Sequence, residues 1–211
     1  MKGTIGMIGA GGHAKVVADA VLRSDPHASL IFFSLDAPPA GGKFYGFPHY
    51  RERPEMLENW INRISGWHVA IGDPRIRASK TEELRAYGAR LVQVIHPDSI
   101  VSPSSTIGPG SFIAAGAIVN AETRIGAGCI INTAASVDHD CVVGDYVNVG
   151  PGSRLTGGVH IGRLTELGSG TVIIPGIKIG KMCTIGAGTV VIRDLPDCVK
   201  AVGVPARIIG R

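Results

Sequence analysis

The run Asp138-His139-Asp140-Cys141 interrupts a stretch that is otherwise apolar and rich in glycine. A histidine flanked by two carboxylates has the surroundings of a general base. A carboxylate that accepts from one ring nitrogen fixes the tautomer and leaves the other nitrogen basic. The sequence leaves open whether Asp138 or Asp140 takes that part. The competing interpretation is a solvated surface turn, but residues 101–191 contain only two histidines, His139 and His160. The run is not expected to bind a metal, because neighbours in an extended segment point in alternating directions and cannot converge on one ion.

A second group lies near the start. The strand-like Thr4–Ile8 leads through Gly9-Ala10-Gly11-Gly12-His13-Ala14-Lys15 into a helix with Val16, Val17, Ala20 and Val21 facing inward. Glycines let backbone amides approach a phosphate, and a helix N-terminus favours negative charge. The loop satisfies G-x-G-x-x-A, and Asp36 ends the next strand where a ribose-binding acid would sit. A dinucleotide would need a domain about twice this size. A nucleotide-sugar diphosphate suits the same loop and the smaller domain.

The elements that hold these residues are periodic. From Val101, every sixth residue through Val191 is Leu, Ile or Val, without a gap. The residue four places later is usually small or short-branched, as in Ser111, Thr123, Cys129, Cys141 and Thr165. Glycine often follows the aliphatic, and it is expected to permit the turn conformation. Such a period denotes a parallel β-helix of three short strands per coil, or 18 residues per coil. His139 then falls at an outer bend, and Gly157, 18 residues later, lies against it in the next coil. The Gly157 amide is thus a candidate donor to the oxyanion formed when a thioester carbonyl is attacked. No insertion interrupts the ladder, so no loop of the same subunit covers the site.

Ahead of the ladder, strands are expected at residues 4–8, 30–35, 69–71 and 91–95, with helices after the glycine loop and over 54–64 and 75–87. The alternation predicts a small α/β, Rossmann-like parallel sheet. The domains expected are 1–95, α/β, and 96–211, an all-β parallel β-helix with a C-terminal tail. The net charge of +4 gives no case for nucleic acid, although residues 178–211 carry six basic and two acidic residues. No apolar run has the 18 to 20 residues needed to cross a bilayer, and the N-terminus lacks a signal-peptide pattern. The four cysteines have no CxxC spacing and suit reduced thiols in the cytoplasm.

Several motifs together resemble the hexapeptide-repeat sugar O-acyltransferases of the sialic acid O-acetyltransferase type. These are Gly9-x-Gly11-Gly12-His13, Ile71-Gly72-Asp73, His96-Pro97, Val137 to Cys141, Thr156-Gly157-Gly158-Val159 and Gly203-Val204-Pro205-Ala206. The family includes N-acetyltransferases of nucleotide-linked 4-amino-4,6-dideoxy sugars of the bacillosamine and perosamine pathways. The resemblance implies a left-handed β-helix, acetyl-CoA as co-substrate, and a homotrimer with active sites between subunits. It implies that His139 is the base, with Asp140 or Asp138 as partner and Gly157 as donor to the acetyl carbonyl. Gly11, Gly12, His13 and Lys15 would contact the sugar-nucleotide phosphates, with Asp36, Gly72 and Asp73 near the nucleoside. Gly168 and Gly186 would line the pantetheine path, with Lys178, Lys181 and Arg207 near the CoA phosphates. Family members commonly carry a second histidine nine residues after the base. Here that position is Asn148, which hydrogen-bonds but carries no proton. Acetylation of a sugar amine is the function expected, with O-acetylation or a non-catalytic nucleotide-binding scaffold as alternatives.

Overall fold

The computed structural model describes residues 3–38 and 41–210. The chain divides between Pro97 and Asp98 into two compact units.

The first unit contains β1 (Thr4–Ile8), α1 (Gly12–Ser24), β2 (Ser29–Ser34), β3 (Gly42–Phe44), β4 (Phe47–Arg51), α2 (Pro54–Ile61), β5 (Gly66–Val69), α3 (Pro74–Ala86) and β6 (Val94–Ile95). Five strands form a sheet in the order β3-β4-β2-β1-β5. Its pairings are parallel except for the β3–β4 hairpin at one edge. That hairpin is not expected from the sequence, where residues 42–51 show no clean alternation. Its tight turn is closed by Tyr45 and Gly46, both with positive φ. The third expected strand begins earlier, at Gly66, because Gly66-Trp67-His68-Val69 is buried on both faces and shows no alternation. Only Val94–Ile95 of the fourth is a strand, while Leu91 makes an isolated bridge to Trp67. The core is aromatic: Phe33 lies 5.3 Å from Trp67 and 6.0 Å from Trp60 between ring centroids.

The second unit is a parallel β-helix. Two-residue strands from Ile100–Val101 to Val190–Val191 form three parallel sheets in which each residue pairs with the one 18 positions on, as Val119 with Val137 and Val137 with Leu155. The sixth-residue aliphatics stack down the axis, with Val119, Val137, Val149 and Ile173 fully buried. The small residues four places later also point inward. Several of their hydroxyls are satisfied between coils, as Ser111 Oγ donates to Gly126 O at 2.8 Å and accepts from Cys129 N at 2.9 Å, whereas Thr189 Oγ1 is buried without a partner.

The glycine that often follows the aliphatic serves a different purpose from the one expected. A Cβ on Gly168 would lie 2.5 Å from the Ala187 backbone nitrogen, so this glycine permits one coil to approach the next. The left-handed turn conformation occurs two residues later, at the third place after the aliphatic. Gly170 holds it with φ +69°, and Asp140 holds it with φ +58°.

Candidate active site

The turn 138–141 joins Ser136–Val137 to Val142–Val143. Its left-handed residue is Asp140, a conformation that aspartate tolerates better than most side chains. Asp140 Oδ2 lies 2.7 Å from His139 Nδ1. A carboxylate only accepts, so in the neutral ring the proton sits on Nδ1 and the lone pair is on Nε2, which makes no hydrogen bond among the described residues. Both side chains are more than half exposed. The bond to Asp140 raises the His139 pKa, and the charge of Asp138 raises it further.

Asp138 does other work. Its Oδ1 accepts from the His139 backbone N–H at 2.9 Å and from Asn120 Nδ2 at 2.8 Å. Those bonds hold its carboxyl below the usual range. Of the two carboxylates left open by the sequence, Asp140 therefore orients the ring and Asp138 secures the turn.

Gly157 lies directly against the ring. A Cβ built there would be 2.6 Å from both His139 Cε1 and Nε2. Gly158 N donates to His139 O, and Gly157 O accepts from Gly176 N. The Gly157 N–H donates to no acceptor among the described residues. Asn148 stands in register with Ile130 and Glu166 on a different sheet. That face is opposite the corner bearing His139 in a three-sided coil, so the two do not meet within one β-helix. Asn148 Oδ1 is buried without a hydrogen-bond partner.

The nucleotide candidates converge only in part. A pocket of about 550 Å³ is lined by Gly9–His13, Ser34–Asp36, His49, Glu52, Ala70–Gly72, Ile76 and Lys80. It gathers Gly11, Gly12, His13, Asp36 and Gly72. Helix α1 opens beside it with no side-chain cap and no acidic residue in its first turn, which leaves its amides suited to a phosphate. Asp73 is not in the lining: its Oδ1 caps α3, accepting from Arg75 N and Ile76 N at 2.8 and 2.9 Å. Nor is Lys15, whose ammonium lies 6.0 Å from the Phe44 ring centre. Ser34, His49, Glu52 and Lys80 escape the sequence reading: His49 lies in the unforeseen hairpin and Glu52 directly after it, Lys80 lies on the exposed-looking helix α3, and Ser34 ends an otherwise apolar strand.

Behind the loop, Arg77 is buried and donates to Ile71 O at 2.8 Å and Gly72 O at 2.6 Å. Burial, His68 and Arg77 together lower the His13 pKa to about 3. Burial lowers that of His68 to about 4, with Arg77 adding to it; its Nδ1–H donates to Val92 O at 3.1 Å. Both are neutral when folded, so the unfolded chain binds more protons below its ordinary value of 6.5. The stability they contribute is complete above that value and is lost as pH falls towards the folded values. Each is expected to cost about 2 kcal/mol between pH 6.5 and 5. Urea unfolding across that window checks this, and a His68→Gln chain should show a shallower pH slope.

At the C-terminal end, Arg207 and Arg193 line a small pocket of about 120 Å³ with Ile192, Pro205 and Ala206. Lys178 and Lys181 are not in it, and Lys181 Nζ lies 3.7 Å from Asp197. Gly168 and Gly186 face the next coil: a Cβ on Gly186 would be 2.7 Å from Val202 Cγ1. Inter-coil packing thus accounts for both glycines. Among the described residues no cluster of three His, Cys, Asp or Glu could hold a metal, and no helix is long and apolar enough to cross a membrane.

Residues 4–84 match the PglD N-terminal domain, and residues 122–157 match the bacterial transferase hexapeptide (six repeats). A mutant perosamine N-acetyltransferase from Caulobacter crescentus, solved with CoA and GDP-perosamine, is 41% identical, with TM-score 0.93 over 100% of this chain and 99% of that one. The chain belongs to the hexapeptide-repeat sugar acyltransferases. The acetyltransferase domain of PglB from Neisseria gonorrhoeae FA1090, solved with acetyl coenzyme A, is 37% identical, with TM-score 0.92 over 98% of each chain. The GDP-perosamine N-acetyltransferase of Escherichia coli O157:H7 is 28% identical over 159 residues, 74% of this chain and 71% of that protein. As a member of this family the protein is an acyltransferase, and its β-helix is left-handed.

Proposed function

We propose that this acyltransferase moves an acetyl group from acetyl-CoA to the amine of a nucleotide-linked amino-deoxy sugar. The observation that carries the proposal is the His139–Asp140 bond, which leaves Nε2 bare and exposed beside an unused Gly157 amide. Acetyl-CoA supplies the acetyl group as a thioester. The sugar amine is less basic than lysine because electron-withdrawing oxygens surround it, so part of it is neutral at pH 7. Its nitrogen forms the new C–N bond as the C–S bond breaks, the bonding pair leaving on the sulfur of CoA, which departs and is protonated to the thiol. His139 Nε2 takes the ammonium proton, and the Gly157 N–H offers a donor to the carbonyl oxygen. Asp140 stabilises the imidazolium that results.

The nucleotide end belongs to the pocket at the start of α1. The enzyme acts as a homotrimer in the cytoplasm. The uninterrupted ladder and the separation of Asn148 from its own His139 support an active site completed by a second copy. Four free cysteines support a reducing compartment. Arg193 and Arg207 suit the CoA phosphates.

Thiol release with a panel of UDP-, GDP- and dTDP-linked amino sugars tests the reaction, the product gaining one acetyl group on nitrogen. Release with none of them, alongside acetylation of a free sugar hydroxyl, would sink the proposal. Sedimentation should report a trimer. Asp140→Asn removes the main cause of the raised His139 pKa. The acid limb of kcat/KM should then move to lower pH and the plateau should fall. An unmoved limb would assign the titration to another group.

A further inference from the structure

The proposed reaction needs an open Gly157 amide, and the β-helix has two ways of closing one. Among the described residues, no amide two places after an aliphatic of the ladder donates to a main-chain carbonyl. Pro109 and Pro151 occupy that place without an N–H at all. Where the N–H is present, a side chain takes it in several turns. The first way is local: the preceding residue turns its side-chain oxygen onto the amide. Asn132 Oδ1 accepts from Thr133 N at 2.8 Å, and Asp138 Oδ1 from His139 N at 2.9 Å. The second way comes from the next coil. Asp145 Oδ1 accepts from Ala127 N, 18 residues earlier, at 2.7 Å.

Neither way operates at Gly157. The residue before it is Thr156, whose hydroxyl donates to Ile173 O at 2.6 Å. A β-branched side chain has few χ1 choices, so this bond fixes where the oxygen sits. The pairing of Leu155 with Ile173 puts Pro175 at the same corner as Gly157, one coil on. Proline has no side-chain acceptor. Two unrelated side chains therefore leave this amide open, whereas the His139 amide one coil below is capped.

We infer that Thr156 and Pro175 are positioning residues that keep acceptors away from the Gly157 N–H, so that the acyl carbonyl finds it free. This rests on the reading of that amide as the donor to the carbonyl oxygen during acetyl transfer. Competition is the physical reason. An acceptor held by the chain beside the amide is always present, and the developing oxyanion would have to displace it. Thr156→Asn should install the local cap. Asn120 shows what diverts such a cap: its Nδ2 donates to Asp138 Oδ1 in the coil above at 2.8 Å. Above Thr156 stands Ile174, whose side chain offers no acceptor. Pro175→Asn should install the cap from the next coil, in the manner of Asp145.

Steady-state thiol release with a sugar that the wild type acetylates, beside crystal structures of the variants, tests this. Thr156→Asn should lose about 10²-fold in kcat with little change in KM, and its introduced amide oxygen should lie within hydrogen-bond distance of Gly157 N. Pro175→Asn should do the same from the other side. Thr156→Val removes the bond to Ile173 O and adds no acceptor, so it should keep most of the rate that Thr156→Asn loses. Pro175→Ala should compare with Pro175→Asn in the same way. Equal losses in Thr156→Val and Thr156→Asn would overturn the inference and make Thr156 a structural tie to Ile173. Asparagine variants that show no cap, whether slow or fast, would overturn it as well. A cap in place with kcat kept would overturn the reading of Gly157 as the donor. Wild-type enzyme inert towards every nucleotide-linked amino sugar would overturn the transfer reaction itself, whatever the caps show.

Discussion

A His139→Ala enzyme is expected to lose about 10²–10⁴ in kcat while melting at the wild-type temperature and binding CoA as before. The size of the loss follows from what the ring does. Its Nδ1 is committed to Asp140, so the only basic lone pair beside Gly157 is on Nε2. The unchanged stability follows from what the ring does not do. The side chain is 62% exposed, and the residues that fill the coil beneath it, Val137 and Cys141, stay in place. The turn keeps its own ties as well, since Asp138 binds the backbone of residue 139 and Gly158 N binds its carbonyl. His139→Asn is the sharper comparison, because it keeps a polar side chain and cannot take a proton. Thiol release measured beside calorimetric CoA binding separates the two effects. A folded enzyme with near-normal kcat in either variant would remove His139 from the role of base.

The β-helix is legible from sequence because its selection rule is local and repeated. Each coil must place one aliphatic inward every six residues, and any failure would leave a hole at that level of the stack. The same regularity makes the contact between His139 and Gly157 readable, since 18 residues return the chain to the same corner. The reason for the glycines was not readable in this way. Coil-to-coil clearance at Gly168 and positive φ at Gly170 are two constraints, and a sequence records them with the same letter. Asp140 shows the cost of merging them. Its left-handed backbone is part of the turn that brings Oδ2 to His139, and nothing in the spacing distinguished it from Asp138.

In the N-terminal unit the strands and helices follow the apolar pattern, but the pocket depends on what lies between them. His49 and Glu52 reach the pocket through the β3–β4 hairpin, whose exposed edge carries no periodic signal. Arg77 is buried in a helix whose polar composition suggests a solvated surface. Its guanidinium is held by the carbonyls of Ile71 and Gly72, a tertiary arrangement that local pattern does not record. Asp73 was misleading for a related reason: an aspartate beside a glycine loop is also a common helix cap, and here its oxygen serves the amides of α3.

Gly157→Ala is expected to cost about 10²-fold in kcat through the position of the base. The backbone at 157 does not have the positive φ that would strain alanine, and the three atoms nearest the new methyl all belong to His139. What it would meet is the imidazole, at 2.6 Å from Cε1 and Nε2, so the ring must move by several tenths of an ångström or more. Moving it stretches the 2.7 Å bond to Asp140 and draws Nε2 away from the Gly157 amide at once. The substitution leaves the amide itself in place, and this allows the two roles of the glycine to be separated. In a His139→Ala background there is no ring to displace. The added methyl should then have little further effect, and the double variant should be about as slow as His139→Ala alone. Equal fold losses in the two backgrounds would instead mean that the methyl blocks the approach of the acetyl carbonyl, and that Gly157 acts on the acyl group independently of the base. Single-turnover rates for the four enzymes, measured with CoA affinity held in view, distinguish a shared geometry from two separate contributions.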